Sequence, residues 1–97
     1  MPLNTSRFDA AEYIQTPEDV AFFLEAAFQE PDAGHIAHAL GIVARSQGMA
    51  ALAEKTGLSR QALYKSLCED GNPTLDTVIR LMGALGLHLT VRTPEHA

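Results

Sequence analysis

The spacing of apolar residues along the chain predicts a protein built almost entirely from helices. Five segments carry apolar side chains at intervals of three and four residues, the repeat that places them on one face of a helix. The predicted inward positions are Val20, Phe23, Leu24, Ala27 and Phe28; Ile36, Ala39, Leu40, Val43 and Ala44; Leu52, Ala53 and Thr56; Ala62, Leu63 and Leu67; and Leu75, Val78, Ile79, Met82 and Leu85. We expect these five helices to share one core.

Residue types at the segment ends predict where the helices begin and end. Thr16 fits an N-cap, Pro17 the first helical position, and Asp19 the reciprocal contact of a capping box, in a helix that extends to about Glu30. The other predicted limits are Asp32 and Gly48 for the second helix, and Thr74 and Gly86 for the last. A brief further helix is predicted over residues 8–14.

The pattern changes after Gly86. Residues 87–92 alternate strictly, with Leu87, Leu89 and Val91 on one side and polar residues on the other, which predicts a short β-strand. A lone strand leaves its backbone unpaired, so it requires a partner. That partner is either an extended piece near residues 3–8 or, as we favour, the same strand of a second copy. Leu87, Leu89 and Val91 are therefore the predicted dimerisation residues.

The segment Met49–Leu67 carries the most specific signal in the chain. A short helix stops at Gly57, which permits a left-handed turn, and Ser59 is placed to cap a second short helix. Two short helices joined at a glycine turn are typical of a helix-turn-helix, whose second helix enters the major groove of DNA. A purely structural αα-corner is the alternative. The residues predicted to face outward from the second helix favour DNA: Arg60, Gln61, Tyr64 and Lys65.

The distribution of charge agrees with a DNA-binding role. The net charge is −5, but residues 1–44 hold one basic and seven acidic residues, whereas residues 45–67 hold four basic residues and one acidic residue. The positive charge therefore lies on the proposed DNA-binding unit. We expect Arg45, just ahead of it, and Thr74, just after it, to contact phosphate, although helix capping alone explains Thr74 equally well. The acidic remainder is a candidate surface for a basic partner.

Composition limits the other possibilities. Ninety-seven residues form one domain, predicted over residues 16–92 with an N-terminal extension (1–15) and a disordered tail (93–97). A single cysteine, Cys68, fits a reducing cytoplasm, and neither an apolar run of membrane-spanning length nor an export signal is recognised. His35 and His38 lack further ligands for a metal. We expect no enzyme activity, metal or cofactor, since Cys68 has no activating partner and no catalytic set is evident.

Several stretches extend this interpretation to a family. Ala53, Gly57 and Leu63 have the spacing of phage-repressor-like DNA-binding domains. Residues 8–14, 16–20, 40–49, 57–67, 71–74 and 85–89 together resemble addiction-module antidote proteins, the HigA-like antitoxins. The chain is thus expected to be all-α: a five-helix repressor-like helix-turn-helix bundle with an N-terminal helical extension and one short C-terminal β-strand.

The resemblance also implies a function. It implies a cytoplasmic antitoxin that neutralises a small basic RelE/HigB-like toxin and represses its own operon as a homodimer on a palindromic operator. Arg60, Gln61, Tyr64 and Lys65 fall on the family's DNA-contacting positions, with Ser59 at their start. Two positions depart from the wider superfamily: Met49 replaces a common phosphate-binding glutamine, and Ser66 a large aliphatic residue. The alternatives are a phage-like regulator without a toxin and, less favoured, a structural or adaptor protein.

Overall fold

The computed structural model describes residues 14–68 and 70–93, and within them the chain forms five α-helices and no β-strand. The helices are α1 (Pro17–Ala27), α2 (Ala33–Gln47), α3 (Met49–Thr56), α4 (Arg60–Ser66) and α5 (Leu75–Ala84). The all-helical prediction is confirmed for this part of the chain. The predicted helix over residues 8–14, apart from Ile14, and the tail from residue 94 onward lie outside the described residues.

The helices begin where the sequence places their caps. Thr16 Oγ1 accepts a hydrogen bond from the Asp19 N–H at 3.1 Å, and the Asp19 carboxylate accepts one from the Thr16 N–H at 3.1 Å, which completes the predicted capping box. Asp32 caps α2 by accepting from the His35 N–H at 2.8 Å. Helix α1 ends at Ala27, three residues before the predicted limit, since the next backbone bonds follow the tighter turns of a helix end.

The core lies between α2 and the later helices. The fully buried side chains of largest volume are Leu40, Val43, Leu63 and Leu81, which come from α2, α4 and α5. Val20 and Leu24 add the inner face of α1, and Leu52 adds that of α3. Leu63 anchors a helix of only seven residues, so much of the stability of α4 derives from this contact.

Three residues predicted to face inward are exposed instead. Ala62 is exposed on α4, and on α5 Leu75 and Ile79 are 67% and 51% exposed. Helix α5 is rotated so that Leu81, which the prediction omitted, is fully buried together with Met82. The apolar arc of α5 is wider than the face that the core covers, and periodicity alone does not fix which part of the arc is buried.

One glycine brings α2 against the end of α4. A Cβ added at Gly41 would lie 2.3 Å from the backbone oxygen of Leu67, much closer than atoms in contact approach. Gly41 is buried in the middle of α2, and Leu67 directly follows α4. The missing side chain therefore allows the two helices to pack at this separation.

The predicted C-terminal strand is wrong for the described residues. Helix α5 closes with the Leu87 N–H donating to the Met82 carbonyl at 2.8 Å across Gly86, a Schellman-type ending. Leu87 then packs against the core, whereas Leu89 and Val91 are exposed. The alternating pattern thus reflects an irregular segment with one anchored leucine, since none of the described residues pairs with it in a β-ladder.

Candidate nucleic-acid interface

The corner between α3 and α4 (residues 56–59) is fixed by local hydrogen bonds. Gly57 has φ 80° and ψ 9°, the left-handed conformation expected from its lack of a side chain, and its N–H donates to the Ala53 carbonyl at 3.0 Å. The buried Thr56 hydroxyl donates to the Leu52 carbonyl at 2.8 Å and accepts from the Leu58 N–H at 3.2 Å. The direction of the chain is therefore set before α4 begins.

Ser59 starts α4 as predicted. Its Oγ accepts from the Ala62 N–H at 3.0 Å, which satisfies one of the N–H groups that the first turn leaves unpaired. The hydroxyl proton of Ser59 is still available to donate to a ligand. Ser59 thus has a structural role that is visible in the fold, and any contact with phosphate would be additional.

Helix α4 is buried on one side and open to solvent on the other. Leu63 is fully buried and Leu67 nearly so, and these two contacts hold the helix against the body. The opposite side is exposed and carries the residues predicted to meet DNA: Arg60, Gln61, Tyr64 and Lys65. Arg60 and Gln61 occupy the first turn of the helix. The structure therefore places these four side chains on one accessible surface.

Arg45 and Thr74 flank this surface on two sides. Arg45, in the last turn of α2, lines a small hollow of about 100 Å³ together with Tyr64. Thr74 lines a wider hollow of about 540 Å³ together with Lys65. The sequence separation between Arg45 and Thr74 is large, and the fold brings both beside α4. Thr74 also caps α5 by accepting from the Thr77 N–H at 3.1 Å, so its structural role is satisfied as well.

The basic groups of this surface have no acidic partner among the described residues. In the part of the chain that the structure describes, the ion pairs join Glu30 to His35, Asp76 to Arg80, and Glu25 to Arg92. Within residues 14–68 and 70–93, neither Arg45 nor Arg60 nor Lys65 enters an ion pair. Their charges are consequently available to an anionic ligand such as the phosphate backbone.

Arg80 is a residue of this region that the sequence analysis missed. Its Nη1 donates to the Thr56 carbonyl at 3.1 Å, which joins α5 to the corner, while its Nε donates to Asp76 at 3.0 Å. The Asp76–Arg80 spacing of four residues is recognisable in the sequence as a helix-face pair. The contact with Thr56, twenty-four residues away, could not be predicted from any pattern in the neighbouring sequence.

Other chemistry finds little support in the described residues. They contain no group of three or more histidine, cysteine, aspartate or glutamate residues placed to hold a metal ion. Cys68 is free and exposed, and its thiol donates to the Lys65 carbonyl at 3.3 Å. In the part of the chain that the structure describes, no helix combines the length and the apolar character needed to cross a membrane.

Comparisons with known proteins identify the family. Residues 4–93 match the family model described as "Probable addiction module antidote protein". A protein of Haemophilus influenzae (strain ATCC 51907 / DSM 11121 / KW20 / Rd), named "Uncharacterized protein", is 39% identical over 90 residues, which cover 93% of each chain. No solved structure matches. With the match extending over nearly the whole sequence, the chain belongs to the family of probable addiction module antidote proteins.

Proposed function

We propose that this protein is a sequence-specific DNA-binding antitoxin, which represses its own operon as a homodimer on a palindromic operator and neutralises a RelE/HigB-like toxin by direct contact in the cytoplasm. In this proposal the α3–α4 corner is a repressor-like helix-turn-helix. The supporting observation is the exposed face of α4, where Arg60, Gln61, Tyr64 and Lys65 share one surface opposite the buried Leu63. Membership of the antidote family supports a toxin partner in general terms.

The residues of the exposed face have two proposed roles, base recognition and contact with the phosphate backbone. Arg60 and Gln61 are exposed in the first turn of α4 and have the bidentate donor and acceptor groups that recognise guanine and adenine. Each such pair contributes about 1–3 kcal/mol of discrimination against a wrong base. Tyr64, Lys65 and Arg45 contact the phosphate backbone, so they contribute affinity that falls as the salt concentration rises. Ser59 adds a hydroxyl donor at the start of this surface. Thr74 would contact phosphate by giving up the hydrogen bond that its hydroxyl donates to Thr77 Oγ1 at 3.1 Å.

Alanine substitutions separate the two roles. In titrations of operator and random duplexes at several salt concentrations, Arg60→Ala should weaken operator binding by roughly tenfold or more and leave random DNA far less affected. Lys65→Ala should weaken both duplexes alike and reduce the salt dependence of binding. Arg92→Ala, which removes a basic residue paired with Glu25 in the C-terminal segment, is the control for loss of a positive charge away from α4. Equal losses on both duplexes for Arg60→Ala would refute its assignment to base recognition.

The outer face of α1 is the proposed toxin-binding surface. Glu18 and Glu25 on α1 and Glu30, three residues beyond its end, are exposed, and a small basic toxin would find complementary charge there. Changing all three to lysine should prevent co-purification with a toxin encoded beside this gene, while operator binding is retained. If the triple variant still binds the toxin with unchanged affinity, this surface is excluded. The absence of any neighbouring gene for a small basic protein would instead favour a regulator without a toxin.

A further inference from the structure

Helix α1 has an exposed phenylalanine on its outer face. Phe22 is 76% exposed, whereas the next residue, Phe23, is partly buried against the core. A side chain this exposed contributes little to the fold and keeps a large apolar area in water. A single exposed apolar residue is ordinary, but an apolar patch with a polar rim is typical of an interaction surface. The surroundings of Phe22 therefore decide its meaning.

A hollow of about 360 Å³ lies next to Phe22, between α1 and the segment that follows α5. Ala21, the residue before Phe22 in the chain, borders this hollow and is itself exposed. The apolar residues that line the hollow are Ala21, Leu24, Phe28, Met82, Leu87 and Leu89. The outer side of α1 thus combines a projecting aromatic ring with an apolar recess beside it.

The charges around Phe22 are acidic. Helix α1 contains three acidic residues and no basic one, and Asp19 is already engaged in the capping box. Glu18 lies four residues before Phe22 and Glu25 three residues after it, so both adjoin the ring on the same helix face. DNA and the same face of a second copy are also negatively charged and would be repelled. A basic protein surface is complementary to this face.

The chain itself shows which chemical group Glu25 binds. The guanidinium of Arg92 forms an ion pair with the Glu25 carboxylate, although sixty-seven residues separate them. Both residues line the hollow. The side chains of Arg92 and Glu25 are 72% and 55% exposed, so water weakens their attraction and the pair can be exchanged at little cost. Arg92 occupies the position that a basic residue of a partner would take.

We propose that α1 binds a basic protein by burying Phe22 in an apolar pocket of that protein, while an arginine or lysine of the partner replaces Arg92 at Glu25. The inference rests on the proposed function, in which this partner is the toxin, and it assigns the residue that contributes most to affinity. A few central residues dominate most interfaces, whereas charges at the rim mainly alter the association rate. Phe22 is the central residue here, Glu18 and Glu25 form the rim, and Arg92 is an internal competitor.

Binding kinetics with the small basic protein encoded beside this gene test the role of Phe22. Phe22→Ala should raise the Kd by roughly 10- to 100-fold, mainly through faster dissociation, because a buried aromatic side chain is lost from the interface. Its melting temperature should equal or slightly exceed that of the wild type, since the side chain is exposed and alanine is a better helix former. Leu75→Ala removes a similarly exposed apolar side chain from α5 and should leave the Kd unchanged. Glu18→Gln should instead slow association at low salt.

Arg92→Gln tests the exchange at Glu25. Removing the competitor should lower the Kd for the same basic protein by roughly two- to fivefold at low salt, and the difference should shrink as salt is added. This substitution also makes the chain more acidic, so it is repeated in a Glu25→Gln background. There the tighter binding should disappear, because no carboxylate remains for Arg92 to occupy.

Two results would overturn the inference: a Phe22→Ala variant whose Kd stays within twofold of the wild type, or an Arg92→Gln variant that binds no tighter than the wild type. Sedimentation equilibrium without the toxin tests the rival occupant, since loss of self-association in Phe22→Ala would assign this surface to a second copy.

The same measurements separate this inference from the proposed function. A wild-type chain that does not bind the neighbouring basic protein would refute toxin neutralisation and this inference together. If changing Glu18, Glu25 and Glu30 to lysine abolishes binding but Phe22→Ala does not, the toxin-binding surface is supported and the role of Phe22 is refuted.

Discussion

Replacing Gly41 by alanine would test how closely α2 approaches the end of α4, the contact that holds α4 in position. The added Cβ would lie 2.3 Å from the Leu67 carbonyl oxygen, a separation that real side chains essentially never show. A backbone oxygen cannot rotate away as a flexible side chain can. The two helices must therefore move apart, and the buried contact of Leu63 is weakened with them.

The expected loss of stability can be estimated from two opposing effects. Overpacking of a close contact costs typically 1–3 kcal/mol, and the rigid neighbour at Leu67 favours the upper part of that range. Alanine in place of glycine within a helix returns about 1 kcal/mol through its better helix propensity. The net destabilisation should be about 1–2 kcal/mol, which lowers the melting temperature of a domain of this size by roughly 5–15 °C.

A second glycine-to-alanine substitution serves as the control for this prediction. Gly83→Ala is the same change in another helix, at a position where the new Cβ meets no atom within 4 Å, so it should stabilise the fold by about 0.5–1 kcal/mol. Urea denaturation of both variants, at concentrations where the chains are monomeric, gives the two free energies of unfolding. Gly41→Ala should also reduce operator affinity because α4 is displaced. If Gly41→Ala stabilised the protein as Gly83→Ala does, the close approach of α2 to the Leu67 carbonyl would be refuted.

Three other substitutions probe separate parts of the account. Leu63→Ala leaves a cavity beneath α4 and should lower the free energy of unfolding by about 2–5 kcal/mol in urea denaturation; a change under 1 kcal/mol would contradict its place in the core. The N–H groups of Gln15 and Thr16 hold the pKa of Asp19 below its usual value. The ionised carboxylate therefore stabilises the fold fully above the unfolded pKa of about 3.9, and this stabilisation is lost as the pH falls through the lowered folded pKa. Unfolding midpoints measured from pH 2 to 7 should show a smaller acid-dependent loss for Asp19→Asn than for the wild type, and equal pH profiles would refute the contact. Arg80→Gln removes the charged donor to the carbonyl at the end of α3 and should weaken operator binding with little change in helix content by circular dichroism; unchanged affinity would show that this contact does not position α4.

The features that the sequence predicted well are those fixed by near neighbours. Thr16, Asp32, Ser59 and Thr74 all cap helices as expected, because an N-cap hydrogen bond reaches only two or three residues along the chain. The left-handed turn at Gly57 is equally local, since it depends on the residue's own backbone. The exposure of Arg60 and its neighbours followed from the helix period once Leu63 was placed inside.

The errors arose where distant parts of the chain decide the outcome. Leu75 and Ile79 continue the apolar pattern of α5, but the rotation of that helix depends on the neighbours against which it packs, and these bury Leu81 instead. The alternation from Leu87 onward resembled a strand, but only Leu87 packs against the core and Leu89 and Val91 are exposed, so the apolar spacing did not mark a buried face. The contact from Arg80 to the α3–α4 corner spans twenty-four residues and leaves no periodic trace.

The central claim is that the exposed face of α4 reads the sequence of double-stranded DNA. Sequencing the duplexes that the pure protein captures from a randomised pool tests this claim most directly. We predict enrichment of a palindrome whose half-sites are about 10 base pairs apart, the spacing at which two paired helices meet the same side of the duplex. The same selection with Arg60→Ala should lose preference at one position of each half-site. Captured sequences indistinguishable from the starting pool, for the wild-type protein, would contradict the claim.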